Sequence, residues 1–306
     1  PTNIYQISAG SLSLTGGDQR ILVGAFNDGT GTLTISGTGQ IEAQSIVLGE
    51  SATAVGTMNL DGGRVVTDFI KTGAAAAGTQ TMNLNGGTIE ARVDAAQGLT
   101  GNLPANLLAG GVTFDVPDAA WTASTSGIMT GVGSLTKTGP GRLTVLGDQQ
   151  YTGDTIVEGG ILRLDDPYLD PASDIYLTTG VLLELDFESQ IDVGTIYLDG
   201  VPQPAGVYDN TSALIAGAGS LNSTTGPSPG GDVVVDSFTL DTSGPTRMAV
   251  IEITGTPNSD YVCKASTDLT NFVTVGTETT DGSGNATFSV EADETAEFFI
   301  VEDAPN

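Results

Sequence analysis

GTLTISGTGQIEA from Gly31, GTMNLDGGRVVTD from Gly56 and QTMNLNGGTIEAR from Gln80 repeat one pattern: a short alternating strand, a glycine-containing turn and a second short strand. Leu33, Met58 and Met82 are equivalent positions, which sets a period of about 25 and then about 24 residues. Repeats of this length belong to solenoids, in which each unit buries its apolar face only by stacking on its neighbours. Glycine, threonine and alternating aliphatics make the unit a β-coil rather than a helix pair.

The pattern extends in both directions from these three units. SLSLTGGDQRILVG from Ser11 reads as a degenerate first coil, with Leu12 and Leu14 before a Gly-Gly corner and Ile21 and Val23 after it. Residues 74–78, AAAAG, read as a tight corner or a loop between coils. Residues 94–108 alternate weakly and read as a longer excursion with a short helical turn at 103–108. Alternation returns at Val112, Phe114 and Val116. The expected total is about nine or ten coils of about 22 to 25 residues each.

From Gly131 the chain reads GVGSLTKTGPGRLTVLGDQQYTGDTIVEGGILRLDD. Gly133, Leu135, Lys137, Gly139, Gly141, Leu143 and Val145 form a first strand pair. Tyr151, Thr152 and Gly153 form a corner, and Thr155, Val157, Gly160 and Leu162 a closing strand. This stretch resembles the autotransporter-associated β-strand repeat, also called the passenger-associated transport repeat. The resemblance implies coils of a parallel β-helix in an exported, surface-associated bacterial protein, and it implies no chemistry. IDVGTIYLDGVPQPAGVYDN from Ile191 and GAGSLNS from Gly217 resemble the closing segment that follows such repeats. Pro202 and Pro204 cannot complete a β-ladder, which places them at a corner or an end.

TTGPSPGG, residues 224–231, disfavours both helix and central strand and reads as a linker. Beyond it, DSFTL, RMAVIEI, DYVCKAS, NFVTVGT, NATFSV and EFFIVED are short strands separated by turn signals. The expected fold is therefore all-β, with a parallel β-helix over residues 1–222, a linker at 223–231 and a small antiparallel β-sandwich over 232–306. The last segment also resembles a C-terminal module of exported proteins from Verrucomicrobia-like bacteria.

Composition narrows the function. Asp and Glu number 37 against 9 Lys and Arg, a formal charge of −28 with no His. Such a field repels phosphate backbones, which argues against a nucleic-acid partner. No stretch approaches the roughly 18 apolar residues of a membrane helix, so no membrane insertion is expected. Cys263 is the only cysteine, so an intrachain disulfide is impossible, and its alternation with Tyr261 and Ala265 makes it a strand residue. A chain starting at Pro1 is read as one whose secretion signal has been removed, which places it outside the cell or on its surface.

The usual catalytic sets are missing. Without His there is no His-based triad, and one Cys excludes thiolate zinc sites. Polysaccharide-degrading β-helix enzymes need either a basic residue with partners or paired carboxylates. The basic residues of the solenoid, Arg20, Arg64, Lys71, Arg92, Lys137, Arg142 and Arg163, are scattered in sequence. Hard oxygen donors cluster in LDDPYLDPASD, so Asp165, Asp166, Asp170 and Asp174 form a candidate calcium site. TTDGSGN, with Asp281, Ser283 and Asn285, is a second candidate, against the plainer reading of a hairpin turn.

These features point to a non-catalytic extracellular structural protein, a subunit of a surface filament, layer or matrix, with itself as partner. The expected assembly contacts are Ile4, Tyr5 and Ile7 near the start, and Phe298, Phe299, Ile300 and Val301 near the finish. Strand addition there would satisfy backbone groups and bury apolar surface together. The alternatives are an adhesin or carbohydrate-binding surface protein, with Tyr261 and Phe272 as sugar platforms, and behind it a polysaccharide-degrading enzyme.

Overall fold

The computed structural model describes residues 2–17, 19–25, 28–73, 79–95, 98–226, 233–244, 246–255, 259–267, 271–292 and 298–304. The corner expected at 74–78, part of the turns expected at 256–258 and 268–270, and the linker residues 227–231 lie outside them. The chain divides into two compact units, Pro1–Gly226 and Pro227–Asn306.

The first unit is a parallel β-solenoid. In one column of strands, eight parallel pairings join nine segments among the described residues, from Ser11–Ser13 to Ile196–Leu198. The solenoid thus completes eight turns between them, fewer than the nine or ten expected. The difference arises at the end, where residues 199–214 leave the helical path instead of forming a coil. The register also tightens along the chain. Gln40 pairs with Arg64, 24 residues on, whereas Thr136 pairs with Ile156, only 20 residues on. The helical turn expected at 103–108 is instead the strand Ala105–Leu107. It is held between Gln80–Leu84 and Met129–Gly131, whose free edges supply a complete parallel ladder on both sides.

Alternation explains the core. Inward residues stack on their equivalents one coil away, as in Ile35, Leu60, Leu84 and Leu107, all fully buried. Each such side chain contributes about 1.5–3 kcal/mol relative to exposure. Outward positions carry polar ladders. Asn83 Nδ2 donates to Asn59 Oδ1 at 2.8 Å, and Asn106 Nδ2 donates to Asn83 Oδ1 at 2.9 Å. Asn83 is the central member, so Asn83→Ala breaks two bonds at once. We expect it to lower stability by about 1 kcal/mol, read from urea midpoints.

The last coil is closed rather than stacked. Val201–Pro202 pairs antiparallel with Ile196–Leu198, and Gly206–Tyr208 pairs antiparallel with Ser220–Ser223. Tyr208 Oη donates to the Pro204 carbonyl at 2.7 Å, which holds the proline segment against this end. Thr224 N still donates to the Val193 carbonyl at 3.0 Å.

The second unit has two three-stranded antiparallel sheets. One orders its strands Val234–Asp241, Met248–Thr254, Asn285–Glu291, and the other Val273–Thr279, Asp260–Ser266, Phe298–Asp303. Their inner faces share a small core of Ala249, Ile251, Ile253, Tyr261, Cys263, Phe288 and Val290. This is the expected sandwich, with burial alternating most clearly along Met248–Thr254 and Asn285–Glu291.

Candidate functional site

The repeat that carries the family resemblance builds one unusual corner. Leu135–Thr138 lies between Val112–Asp115 and Thr155–Val157, so Lys137 occupies an inward ladder between Phe114 and Val157. Its side chain is fully buried. The ammonium reaches the corner and donates to the carbonyls of Thr138 (2.6 Å), Gly139 (2.8 Å) and Gly159 (3.1 Å). Burial pushes its pKa down to about 8, against a smaller upward pull from Asp115. Gly139, Gly141 and Gly160 line the same corner, and a Cβ on any of them would lie 2.5 Å or less from a neighbouring atom. The motif's lysine and glycines therefore describe one object: stacked corners whose glycines approach the neighbouring coil too closely for a Cβ, with carbonyls of two successive corners tied inward by an ammonium.

The Tyr-Thr-Gly corner works the same way. Tyr151 is buried, and its hydroxyl lies 2.8 Å from the buried Thr155 Oγ1. Burial pushes the phenol up to about 12, opposed by that hydrogen bond. Tyr168 packs edge-on against Tyr151 at 6.3 Å, and burial likewise holds its phenol well above the ordinary value. Tyr151→Phe orphans the Thr155 hydroxyl in the core, and we expect a loss of about 1 kcal/mol by thermal melting.

The first coil is built differently from the others. Thr2–Ile7, Ser11–Ser13 and Arg20–Val23 each pair with Thr30–Leu48 on one side only. Tyr5, Ile7, Leu12 and Ile21 are in register with the buried Leu33, Ile35, Ile41 and Ile46 and so point along the core. Yet Tyr5 is 61% and Leu12 40% exposed, because no coil covers them. They line an apolar cavity of about 550 Å³ with Leu14 and Leu33. Ile4, on the outer face, is 73% exposed. Ile4, Tyr5 and Ile7 therefore belong to a true rung with a free edge.

Of the other expected contact residues, Phe298, Phe299, Ile300 and Val301 form most of Phe298–Asp303, the outer strand of its sheet. Phe299 and Val301 pack on the sandwich core, while Phe298 and Ile300 are exposed.

The carboxylates expected to bind calcium do not gather. Asp165 accepts from Arg163, Asp170 Oδ1 caps the turn at Ala172 N (2.8 Å), and Asp174 Oδ1 accepts from Thr195 N (2.7 Å). No group of three or more potential ligands comes together among the described residues. Asp165, Asp166, Asp170 and Asp174 all lie in the one connection between Ile161–Leu164 and Ile175–Leu177, but Asp165, Asp170 and Asp174 are each turned to a different partner. In the second candidate, Asp281 Oδ1 accepts from Asn285 N (2.9 Å) and Ser283 N (2.8 Å), and these bonds lower its pKa. That is a closed hairpin turn with Gly284 at φ +87°.

The seven basic residues of the solenoid are engaged. Arg64 pairs with Glu90, Arg92 with Asp68, Arg142 with Glu184, and Arg163 with Asp165 and Asp186. Arg20 lies 3.9 Å from Glu50, Lys71 sits over the Phe69 ring, and Lys137 is enclosed. The expected sugar platform is also corrected: Tyr261 is fully buried in the sandwich core because its strand turns that face inward, and Phe272 is half-buried. Cys263 is buried beside it, with its thiol pushed up to about 11 by burial. Sequence reasoning missed the enclosure of Lys137 and the Asn59–Asn83–Asn106 ladder. The near-coil spacing of those asparagines, 24 and then 23 residues, was the available signal.

No curated protein and no solved structure matches this chain. Residues 135–164 match the family model of the passenger-associated-transport-repeat, and this match does not extend to the C-terminal unit. The matched span is the strand that carries Lys137 and the four strands that follow it, through Ile161–Leu164. The solenoid therefore carries, at residues 135–164, a stretch that matches the passenger-associated-transport-repeat, a family of repeats from passenger-type proteins.

Proposed function

We propose that this chain is a non-catalytic structural protein of an extracellular or cell-surface assembly, whose copies join end to end by strand addition. The observation that carries the reading is the long parallel solenoid with its passenger-associated-transport-repeat at residues 135–164; among the described residues, Thr2–Ile7, Ser11–Ser13 and Arg20–Val23 also pair on one side only, beside an apolar cavity of about 550 Å³. An exposed edge of this kind is a template for another strand. The pairing of five of the solenoid's seven basic side chains with carboxylates, and the enclosure of Lys137, also support a scaffold role.

Charge shapes how such an assembly forms. At −28, copies repel one another over about 8 Å at physiological salt. Raising NaCl from about 0.05 M to about 0.5 M screens that repulsion, and we expect it to lower the concentration at which polymers appear. Sedimentation velocity of the intact chain, with negative-stain imaging, tests the reading. Polymers that grow with concentration are the expected result, and a monomer at every concentration and salt overturns it. Saturable binding on a glycan array by such a monomer would favour the adhesin alternative.

A further inference from the structure

One column of the solenoid turns only uncharged side chains outward, in a chain whose formal charge is −28. Residues 30–35, 55–60, Gln80–Leu84, Ala105–Leu107 and Met129–Gly131 form this column in unbroken parallel register. Thr34, Asn59, Asn83, Asn106 and Thr130 make one row across it. Asn59 Nδ2 donates to Thr34 Oγ1 at 3.3 Å, the two asparagine bonds described above continue the row, and Thr130 Oγ1 donates to Asn106 Oδ1 at 3.3 Å. Two residues earlier on the first three strands, Thr32, Thr57 and Thr81 form a second row in the same register.

The backbone fixes the spacing of both rows. Successive coils lie about 4.8 Å apart, and positions two residues apart on a strand lie about 6.6 Å apart. The longer row therefore runs about 19 Å. Its side chains hold one another in place, so little rotamer freedom remains to be lost on binding. Each asparagine commits one of its two N–H donors to the row. Each threonine of the second row sets a hydroxyl beside a methyl group. All of these side chains are half-buried or exposed.

The same coils are charged elsewhere. In the next column Glu42, Arg64, Glu90 and Asp115 take outward positions. Along the uncharged strands the first carboxylate is Asp61, at the corner beyond Leu60, where Asn85 Nδ2 donates to it at 3.3 Å. A charged side chain orients water radially around itself and opposes a regular water layer. The two neutral rows impose a repeat instead.

A ligand for this face must be neutral and must present donors and acceptors at two repeats, about 4.8 Å and about 6.6 Å. Ice meets both requirements. On the prism faces of hexagonal ice, oxygens that each donate and accept recur at comparable distances. We infer that this face binds ice, the two rows ordering a first layer of water that merges with the crystal surface. The activity does not depend on whether copies of the chain assemble.

The test follows seeded ice by microscopy in the presence of the full-length chain, with an unrelated acidic protein at equal mass as the blank. Thr57→Tyr and Thr81→Tyr each push a bulky side chain above the second row. Thr113→Tyr does the same on the next column, where Thr113 also points outward. Tyrosine suits an outward strand position, and unchanged melting temperatures establish that the variants fold. Wild type should shape the crystals and arrest recrystallisation, and Thr113→Tyr should match it. Thr57→Tyr and Thr81→Tyr should each require at least about tenfold more protein for the same effect. A wild-type chain without effect on ice overturns the inference, as do row variants that act as well as wild type. Wild type that ignores ice but is retained on microcrystalline cellulose, with retention lost in Thr57→Tyr, would also overturn it and give the face to a polysaccharide.

Discussion

Replacing Lys137 by alanine is expected to lower the stability of the solenoid by about 3–5 kcal/mol. Two losses combine. The side chain fills the ladder between Phe114 and Val157, so its removal leaves a cavity where the core has no means of closing. The carbonyls of Thr138, Gly139 and Gly159 also lose a shared donor in a place water does not reach. Lys137→Met separates the two effects, because methionine restores most of the volume and none of the hydrogen bonds. Its cost should be smaller, about 1–3 kcal/mol, in urea denaturation at pH 7.

The same pair of proteins carries a pH signature. The folded chain holds Lys137 at about 8, whereas an unfolded lysine titrates near about 10.4. Between those values the unfolded state binds more protons, so this group's contribution rises with pH. Below about pH 8 both states are protonated and the dependence vanishes. The stability difference between wild type and Lys137→Met should therefore shift in favour of wild type from about pH 8 to about pH 10. A flat difference across that window would mean the ammonium is not held at a depressed value.

Gly160→Ala is the second large effect, expected at about 3 kcal/mol or more. Gly160 has φ +65°, a conformation that costs a residue with a Cβ about 1–2 kcal/mol. The new Cβ would also lie 2.3 Å from the Gly141 carbonyl oxygen, a backbone atom of the coil beneath. Gly160's own carbonyl accepts from Leu182 N, so relief by backbone movement disturbs the next coil as well. Gly147→Ala is the control: φ is +81° there, yet nothing lies within 4 Å of the new Cβ. It should cost about 1–2 kcal/mol. Equal losses in the two variants would show that close approach between coils contributes little.

These residues also mark the limit of what can be read from the chain. Alternation and the 24-residue spacing of Met58 and Met82 specify a β-coil and its inward face, because a strand's side-chain period is two whatever surrounds it. The missing N–H of Pro202 and Pro204 placed them at a corner or an end of the ladder. Where the pattern was weak, local reading failed: residues 105–107 became strand because neighbouring rungs offered a ladder. The acidic run at 165–174 looked like a ligand cluster, but its carboxylates point to different partners once the coils stack.

Sequence alone therefore determined the class of fold, the inward and outward faces of each strand, the repeat at 135–164 and the lack of His-based chemistry. Tertiary structure decided which polar groups are buried, which carboxylates meet, and which edges stay open. The division has a physical cause. Faces and turns depend on residues a few positions apart, whereas the enclosure of Lys137 and the exposure of Tyr5 depend on whether another coil lies one turn away.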